Sequence, residues 1–214
     1  MKIMNLQKIG TLIFLCFLSQ LKAEEKGHYQ NLTKALKNPT DVQTLDLSNN
    51  QLITLPKEIG QLKELEWLSL SKNQLKTLPK EIGYLKELQE LDLSRNQLTT
   101  LPKEIGQLKE LQVLDLNNNQ LTTLPNEIEF LKRLQELYLR NNQLTALSKG
   151  IGYLKKLQKL DLSRNQLTTL PKEIETLKKL EELFLDDIPV LKSQEKKIQK
   201  LLPKAQIDFI EIKK

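Results

Sequence analysis

Hydrophobic residues recur along most of this chain with a period of 23 residues. The clearest signs of the period are leucines that follow one another at that spacing with no insertion, at Leu45, Leu68, Leu91, Leu114, Leu137 and Leu160. Six full units therefore occupy residues 42–179, and a seventh opens at Leu180 before it departs from the pattern. A fixed period of this length is typical of stacked structural repeats, so the pattern predicts one continuous array instead of two globular lobes.

Each unit contains two kinds of local pattern. In the unit 88–110, Leu91 and Leu93 alternate with polar residues, which predicts a half-buried β-strand. Pro102 suits the first position of a short helical turn, because the N–H that proline lacks would have no partner there. Ile105 and the leucine three residues later place one apolar face of that turn inward. Every unit is therefore predicted to form a coil of strand, turn and short helix.

A single coil cannot bury these side chains, but a stack of coils can. Each coil offers about eight inward apolar side chains, and each of them contributes roughly 1.5–3 kcal/mol when fully buried. That gain offsets a backbone entropy cost of about 1–2 kcal/mol for every residue that is ordered. The balance favours folding only where a coil has neighbours on both sides. The sequence is repeated because each copy packs against the next.

One asparagine occupies the same position in every full unit. A sharp turn at that position leaves backbone N–H and C=O groups pointing inward, and an asparagine amide can donate and accept at the same time. The pattern predicts a buried ladder that satisfies these groups from coil to coil, formed by Asn50, Asn73, Asn96, Asn119, Asn142 and Asn165. The alternative is a set of exposed turn asparagines. In the seventh unit the position holds Ile188, where the ladder should end.

The repeated motif LxxLxLxxNQLxxLPxEIxxLxxL resembles the leucine-rich repeat, in the 23-residue form found in exported bacterial proteins. The match runs from Val42 to about Leu191, and the motif is highly specific. The resemblance implies an α/β repeat solenoid, a horseshoe with a parallel β-sheet on its concave face and short helical turns on its convex side. It also implies a non-enzymatic protein that binds other proteins. Exported members in bacterial pathogens are often proposed to engage host molecules.

The two ends of a stack must be covered by segments that differ from the repeats. Residues 24–41 are predicted to form a helical N-terminal cap that ends at Pro39, with one face formed by Tyr29, Leu32, Ala35 and Leu36. Residues 180–214 hold the partial seventh repeat and a C-terminal cap. In that cap we expect a helix at about 193–202 and an alternating edge strand after Pro203.

The first residues, 1–23, follow a different pattern. Two lysines precede an apolar run at 9–18, and a small residue, Ala23, follows, which predicts a secretory signal peptide. The run is shorter than the ~20 apolar residues of a membrane span, so the mature chain should contain no such span. The alternative is a buried apolar helix. Large neighbours disfavour lipidation of Cys16. We expect export to the periplasm, the cell surface or the medium.

Loss of the signal peptide changes the charge of the chain. Residues 1–23 carry three lysines and no acid, so the formal net charge of +6 falls to +3. Many of the remaining lysines stand beside glutamates, as in PKEIG and LKEL, which is typical of a solvated surface of mixed charge. Nucleic acid is therefore not an expected partner. Cleavage also removes Cys16, the single cysteine, so disulfides and thiol chemistry are excluded from the mature chain.

Unusual residues on the outward side of the strands are the best candidates for ligand contact, because they are free of core packing. Aromatic residues and arginine supply most interface hot spots. The sequence predicts a protein-binding concave face centred on Val113, Tyr138 and Arg140, with the full set Trp67, Arg95, Val113, Tyr138, Arg140, Arg164 and Phe184. The alternative is variation on an unconstrained surface, with Phe184 packing under the C-terminal cap. A monomer is expected.

Catalytic and metal chemistry have little support. Asp92 and Asp115 should lie about 5 Å apart on adjacent strands, close to the carboxyl spacing of a retaining glycosidase. An open sheet offers no cleft, however, and the same aspartate recurs in other units. An acidic cluster would form either a divalent-cation site or a solvated end, at Glu181, Glu182, Asp186 and Asp187. With His28 as the single histidine, we predict no catalytic residue, metal or cofactor.

A second function remains open from the sequence. The solenoid could be a structural or envelope-associated protein that binds surface glycan or self-associates through its fifth unit. In that unit Ser148 and Gly150 replace the proline and glutamate of most other units, which predicts a softer convex turn.

Overall fold

The computed structural model describes residues 27–209, in which nine parallel strands form one sheet in chain order. The strands are β1 (His28–Tyr29), β2 (Thr44–Asp46), β3 (Trp67–Ser69), β4 (Glu90–Asp92), β5 (Val113–Asp115), β6 (Glu136–Tyr138), β7 (Lys159–Asp161), β8 (Glu182–Phe184) and β9 (Gln206–Asp208). After each strand the chain crosses the opposite side of its coil and returns one step later. The predicted α/β repeat solenoid with a parallel sheet is confirmed.

The strand register follows the 23-residue period. Leu45 pairs with Leu68, Leu68 pairs with Leu91, and the series continues to Leu183, which pairs with Ile207 of the cap. Strand side chains alternate between the two faces of a sheet. The middle leucine of each strand is therefore buried, and the residues on either side of it point outward.

The opposite side of each coil carries a five-residue 3₁₀ helix, which confirms the predicted short helical turns. These helices are Lys57–Gln61, Lys80–Tyr84, Lys103–Gln107, Asn126–Phe130, Lys149–Tyr153 and Lys172–Thr176. Pro102 was predicted to be the first helical residue, but it is the N-cap that precedes the helix, with φ −65° and ψ 147°. Its carbonyl accepts a hydrogen bond from Ile105 N–H at 3.0 Å. The fixed φ of proline suits this extended position equally well.

The fifth unit keeps the same geometry without proline. Ser148 has φ −60° and ψ 145°, and its hydroxyl oxygen accepts a hydrogen bond from Gly150 N–H at 3.1 Å. The prediction of a softer convex turn in this unit is therefore wrong, because a serine N-cap replaces the conformational restriction of proline with a hydrogen bond.

One apolar core runs through the whole stack. Leu91, Leu114 and Leu137 are each at most 1% exposed, and the core continues without a break from Ala35 to Ala205. Gly106 allows neighbouring 3₁₀ helices to approach closely, since a Cβ there would lie 2.4 Å from the carbonyl oxygen of the following coil. On this side of the array, the backbone of one coil at Gly106 therefore packs directly against the backbone of the next coil.

The asparagine position forms a buried ladder. Asn119 Nδ2 donates to the carbonyl oxygens of Leu93 and Leu116, each at 3.0 Å. Its Oδ1 accepts from Leu98 N–H at 3.0 Å, which ties two coils together. The same arrangement of donors and an acceptor is made by Asn73, Asn96, Asn142 and Asn165.

Asn50 departs from the predicted ladder. Its side chain is exposed, and its own backbone N–H donates to Asn73 Oδ1 at 3.0 Å. Asn50 lies at the end of the ladder, where the segment before the first coil is a cap and not a repeat. At the other end Ile188 occupies the ladder position and is buried in the core.

The N-terminal segment is shorter in helix than predicted. Helix α1 spans Leu32–Ala35, and Asn31 caps it by accepting a hydrogen bond from Lys34 N–H at 3.0 Å. Tyr29 was predicted to lie on this helix, but it lies in β1, which pairs with β2. A 3₁₀ turn at Pro39–Asp41 follows. The first coil is therefore covered by a strand and a helix together.

The C-terminal segment contains two helices where one was predicted. Helix α2 spans Pro189–Lys192 and helix α3 spans Glu195–Leu201. Strand β9 follows and pairs with β8, as expected of an edge strand that closes the sheet. Apolar residues of this segment, including Leu191, Ile198 and Leu202, join the core.

Several predictions fall on residues that the structure does not describe. The signal peptide at 1–23, with Cys16 and Ala23, lies outside residues 27–209, as does the last part of the C-terminal segment. Within 27–209, the helices are too short and too polar to cross a lipid bilayer.

Candidate partner-binding face

The outward side chains of the sheet stand in two rows. Strand pairing places the first residues of the strands side by side, in the order Thr44, Trp67, Glu90, Val113, Glu136, Lys159, Glu182 and Gln206. The third residues form the second row, Asp46, Ser69, Asp92, Asp115, Tyr138, Asp161, Phe184 and Asp208. We call the surface formed by these two rows the concave face.

In the first row, Trp67 lies near one end and two glutamates, Glu90 and Glu136, lie near the middle. The indole of Trp67 hydrogen-bonds to the carboxylate of Glu90 on the next strand. Burial raises the pKa of Glu90, the nearby charge of Glu136 raises it further, and the bond from Trp67 partly opposes both effects. Val113 stands between the two glutamates. A neutral apolar side chain thus separates carboxylates that repel each other.

Aromatic and charged side chains are linked across β6, β7 and β8. The Tyr138 hydroxyl donates to Glu136 Oε2 at 2.5 Å. Lys159 Nζ lies 2.9 Å from Glu182 Oε2, 5.8 Å from the centroid of the Tyr138 ring and 5.3 Å from that of Phe184. Burial raises the pKa of Tyr138, and its bond to Glu136 raises it further, so the hydroxyl remains a hydrogen-bond donor.

The turns that follow the strands carry paired arginines and aspartates. Arg140 Nη1 lies 3.2 Å from Asp186 Oδ2, and Arg164 Nε lies 3.2 Å from Asp187 Oδ2. These contacts neutralise much of the acidic cluster at the C-terminal end of the array. Across residues 27–209, no three histidine, cysteine, aspartate or glutamate side chains are grouped so as to hold a metal ion.

The same turns use a left-handed backbone conformation that sequence reasoning missed. Arg95 has φ 55° and Arg164 has φ 54°, at a position that asparagine fills in three other coils. Asparagine tolerates this conformation, whereas most other residues pay about 1–2 kcal/mol for it. The array therefore places long cationic side chains on the rim of the concave face in spite of an unfavourable backbone geometry.

A carboxyl group with an altered pKa lies at the centre of the second row. Burial raises the pKa of Asp115 from 3.8 to about 7, and the charges of Asp92 and Asp161 add to this effect. A hydrogen bond from Asn117 N–H to Asp115 Oδ1, at 2.8 Å, opposes it. Asp115 pairs with Tyr138 in the strand register, so this titrating group is next to the principal aromatic residue of the face.

The structure brings some of the predicted contact residues together and separates others. Tyr138 and Phe184 share the network around Lys159, and Val113 lies on the strand next to that of Tyr138. Arg140 and Arg164 lie on the same neighbouring coils and pair with Asp186 and Asp187 instead. Trp67 lies on β3, three strands from β6, and Arg95 is on the rim. Phe184 points outward in the second row, next to Asp161 and next to Asp208 of the C-terminal cap, and is half-buried.

Sequence reasoning missed some of the residues that shape this face. Lys159, Glu90 and Glu136 hold the aromatic side chains in place, although each resembles an ordinary surface charge in the sequence. Three exposed aromatic residues were also missed, because they lie on the other side of the coil: Tyr84, Phe130 and Tyr153 are 44%, 44% and 51% exposed. Their signal is one position in the repeat that alternates between glutamine, aromatic residues and threonine.

The aspartates that stand side by side on neighbouring strands also hold the turns that follow those strands. Asp92 and Asp115 pair across β4 and β5, and Asp92 also lies 3.4 Å from the hydroxyl of Ser69. The oxygen Oδ1 of each aspartate accepts a backbone N–H two residues later, as does that of Asp46. This shared hydrogen bond, which Asp161 also makes, gives the aspartates a structural role in the turns that contain them, which accounts for their recurrence.

Comparison with known proteins identifies the repeats. A family described as a leucine-rich repeat region matches residues 57–141, and a second, described as leucine rich repeat, matches residues 33–75 and 132–187. No match is found among functionally curated proteins.

Two solved structures are similar to this chain. The chain is similar to a leucine-rich-repeat protein of Leptospira interrogans, with 28% identity over 86% of this chain and 100% of that one and a TM-score of 0.34. It is also similar to an internalin from Listeria monocytogenes, with 22% identity over 83% of this chain, 52% of that chain and a TM-score of 0.63. The internalin supports the fold alone, and this chain spans about half its length.

Proposed function

This chain belongs to the leucine-rich-repeat family, and on that premise we propose that it is a binding protein that captures a protein partner on its concave face. The repeats are a scaffold for protein interaction, and scaffolds of this family are typically not enzymes. The concave location and the nature of the partner are the proposal.

The observation that carries the proposal is the mixture of half-buried aromatic and charged side chains on one continuous, uncovered sheet. From β3 to β8 the face spans five strand steps, or about 24 Å at ~4.8 Å per step. That length is compatible with an interface of about 800 Å² on each partner. Trp67, Val113, Tyr138 and Phe184 are each only partly accessible, so they combine apolar contact area with restricted motion.

The charged network supports recognition by holding those side chains in place before binding. Tyr138 is held by Glu136, and Lys159 lies between the rings of Tyr138 and Phe184. Immobilising a flexible side chain on binding costs about 0.5–1.5 kcal/mol, so side chains that are already fixed bind with a smaller entropy cost. The C-terminal half of the face, on β6 to β8, is therefore the proposed centre of contact.

The arginines on the rim add a second kind of support. Arg95 is exposed, and Arg164 keeps part of its guanidinium accessible while bonded to Asp187. Arginine is enriched among interface hot spots and forms bidentate contacts with carboxylates. We therefore expect the partner to present acidic groups around an apolar centre.

We further propose that the protein acts outside the cytoplasm, on the strength of the basic and apolar pattern of residues 1–23. A partner on a host cell is one form of this proposal. Processing can be tested by N-terminal sequencing of protein recovered from outside the cytoplasm, which should begin at Glu24. Retention of the full chain in the cytoplasm would contradict export without affecting the binding proposal.

The binding proposal is tested by replacing Trp67 and Tyr138 together with Ala. The double variant should keep the fold, because both side chains lie outside the leucine core. Its dissociation constant for a partner captured on immobilised wild-type chain should rise at least tenfold, equivalent to about 1.4 kcal/mol. Calorimetry or surface plasmon resonance would supply the value.

A matched control removes two aromatic rings from the other side of the coil, in the variant Tyr84→Ala with Tyr153→Ala. Their side chains are exposed but do not belong to the concave face. This control should bind the partner as the wild type does. Unchanged affinity in the concave variant, or an equal loss in the control, would defeat the concave-face proposal.

A further inference from the structure

A second surface appears where each 3₁₀ helix leads into the next strand. There the chain makes a tight turn with the pattern Leu-x-x-Leu, closed by a hydrogen bond between the two leucine backbones. In the turn Leu131–Leu134 this bond is 3.1 Å, and in Leu154–Leu157 and Leu177–Leu180 it is 3.0 and 3.1 Å. Both leucines of each turn are buried, so the two central side chains must point into solvent.

The charges in these turns differ between the two halves of the array. The first three turns present a lysine followed by a glutamate, at Lys63–Glu64, Lys86–Glu87 and Lys109–Glu110. The last three present two cations each, at Lys132–Arg133, Lys155–Lys156 and Lys178–Lys179. We call these last six residues the basic edge. The same backbone thus carries a neutral pair in one half and a doubly positive pair in the other.

The basic edge has little internal neutralisation. All six side chains are exposed. Within residues 27–209, one of the six forms an ion pair, Arg133 with Glu110. Lysines in neighbouring turns lie close enough to affect one another, since burial lowers the pKa of Lys109 and the charges of Lys86 and Lys132 lower it further. The edge therefore holds a concentrated positive potential.

An exposed aromatic ring lies beside one cation of the basic edge, since Lys132 Nζ lies 4.8 Å from the centroid of the Tyr153 ring. The same contact occurs in the first half of the array, where Lys63 Nζ lies 4.6 Å from the centroid of the Tyr84 ring and Lys109 Nζ lies 4.7 Å from that of Phe130. These cation–π contacts fix lysine side chains that would otherwise move freely. About half of each ring remains exposed, which leaves apolar area for the carbon–hydrogen face of a sugar.

We propose that the basic edge binds a linear acidic polysaccharide, one that carries sulfate or carboxylate groups along its length. Each of these three turns carries two consecutive cations, and on the sheet side neighbouring coils are about 5 Å apart. One sugar unit of an extended polysaccharide has a similar length, so one anionic group can meet each coil. The exposed ring beside Lys132 favours a sugar chain over a plain polyanion.

The polysaccharide site and the concave face are independent. The basic edge lies in turns that precede the strands, while Trp67 and Tyr138 point from the sheet itself. The protein can therefore hold a glycan along its edge while a protein partner occupies the concave face. Failure of one proposal leaves the other intact, because each has its own residues and its own ligand.

The test gives the last three turns the Lys-Glu sequence of the first three, in the variant Arg133→Glu with Lys156→Glu and Lys179→Glu. Each new turn then reads Lys-Glu, a pair that this backbone already accommodates. The probes are heparin as a sulfated chain, polygalacturonate as a carboxylated one and dextran as a neutral one. Wild type should bind at least one acidic chain and not dextran, and the variant should lose at least tenfold in affinity.

A matched control makes the same change in net charge elsewhere, in Lys57→Glu with Lys80→Glu and Lys103→Glu at the starts of three exposed 3₁₀ helices. This control should lose less than threefold. Binding of wild type should also weaken steeply with salt, as expected of multiple ion contacts. Circular dichroism would verify that both triple variants fold.

Three results would overturn the proposal. Equal loss in the two triple variants would show that net charge, and not this edge, governs binding. Absence of binding to both acidic polysaccharides would refute the site itself. Tighter binding to single-stranded DNA than to either acidic chain would assign the edge to a different ligand. In each case capture of the protein partner should be unaffected, which separates this outcome from failure of the concave face.

Discussion

Replacement of Asp115 by Asn tests whether the concave face holds a carboxyl group in surroundings that disfavour its charge. Burial and the nearby carboxylates of Asp92 and Asp161 raise the pKa of Asp115 from 3.8 to about 7. Each pKa unit corresponds to about 1.36 kcal/mol, so the ionised carboxylate could cost up to about 4 kcal/mol at high pH. The side chain keeps partial access to solvent, and we therefore expect about 1–3 kcal/mol.

The sign of the pH dependence follows from the direction of the shift. Between pH 4 and pH 7 the folded protein keeps a proton on Asp115 that the unfolded chain has released, so stability falls as the pH rises through this window. The wild type should be more stable at pH 5 than at pH 8. In Asp115→Asn this contribution is absent, so the variant should match the wild type below about pH 4, exceed it by part of this amount at pH 5, and exceed it by about 1–3 kcal/mol at pH 8.

The asparagine amide preserves the local hydrogen bond, because its oxygen can still accept from Asn117 N–H, as the carboxylate does at 2.8 Å. Urea denaturation at pH 5 and pH 8, followed by Trp67 fluorescence and circular dichroism, would give the free energies of unfolding. Asp46→Asn is the matched control, since Asp46 bonds to Ser48 N–H in the same way but faces Ser69. Equal stability of Asp115→Asn and wild type at pH 8 would refute the reasoning.

Two further predictions concern packing between coils, and chemical denaturation measures both. Asn119→Ala should destabilise the fold by about 1–3 kcal/mol, because it leaves the buried N–H of Leu98 without a partner. The carbonyls of Leu93 and Leu116 each lose one hydrogen bond and keep a second, from Asn96 and Asn142. Asn50→Ala, outside the ladder, should change stability by less than about 0.5 kcal/mol. Gly106→Ala should cost about 1–3 kcal/mol, because its Cβ would lie 2.4 Å from a backbone oxygen. Gly150→Ala, with 3.2 Å available, should stay within about 1 kcal/mol of wild type. A small effect in Asn119→Ala or Gly106→Ala would contradict the coil-to-coil contacts described above.

The fold could be predicted from the sequence because one period determines which residues point inward. Leucines 23 residues apart can share a core only if they stack in register, as Leu91 and Leu114 do. The prediction was wrong where a residue lacks a neighbouring coil. Asn50 has no preceding repeat to bind, and Tyr29 joins the sheet as β1 because the first coil offers an unpaired strand edge.

The candidate site was less predictable, because outward side chains have no period that ties them to one another. The sequence indicates that Tyr138 and Phe184 face outward, but not that Lys159 lies between their rings. That contact depends on side-chain torsions on three adjacent strands. The pKa of Asp115 was equally inaccessible, since it depends on burial by neighbours contributed by other coils. The role of the predicted contact residues in binding stays a prediction.

Hydroxyl-radical footprinting of the protein, alone and with its captured partner, tests the central claim most directly. Aromatic rings that can be oxidised lie on both sides of the array, so one experiment reports on both faces. The account predicts that the partner protects Trp67 and Tyr138, while Tyr84 and Tyr153 are modified as in the free protein. Protection of Tyr84 and Tyr153 with undiminished modification of Trp67 and Tyr138 would contradict it.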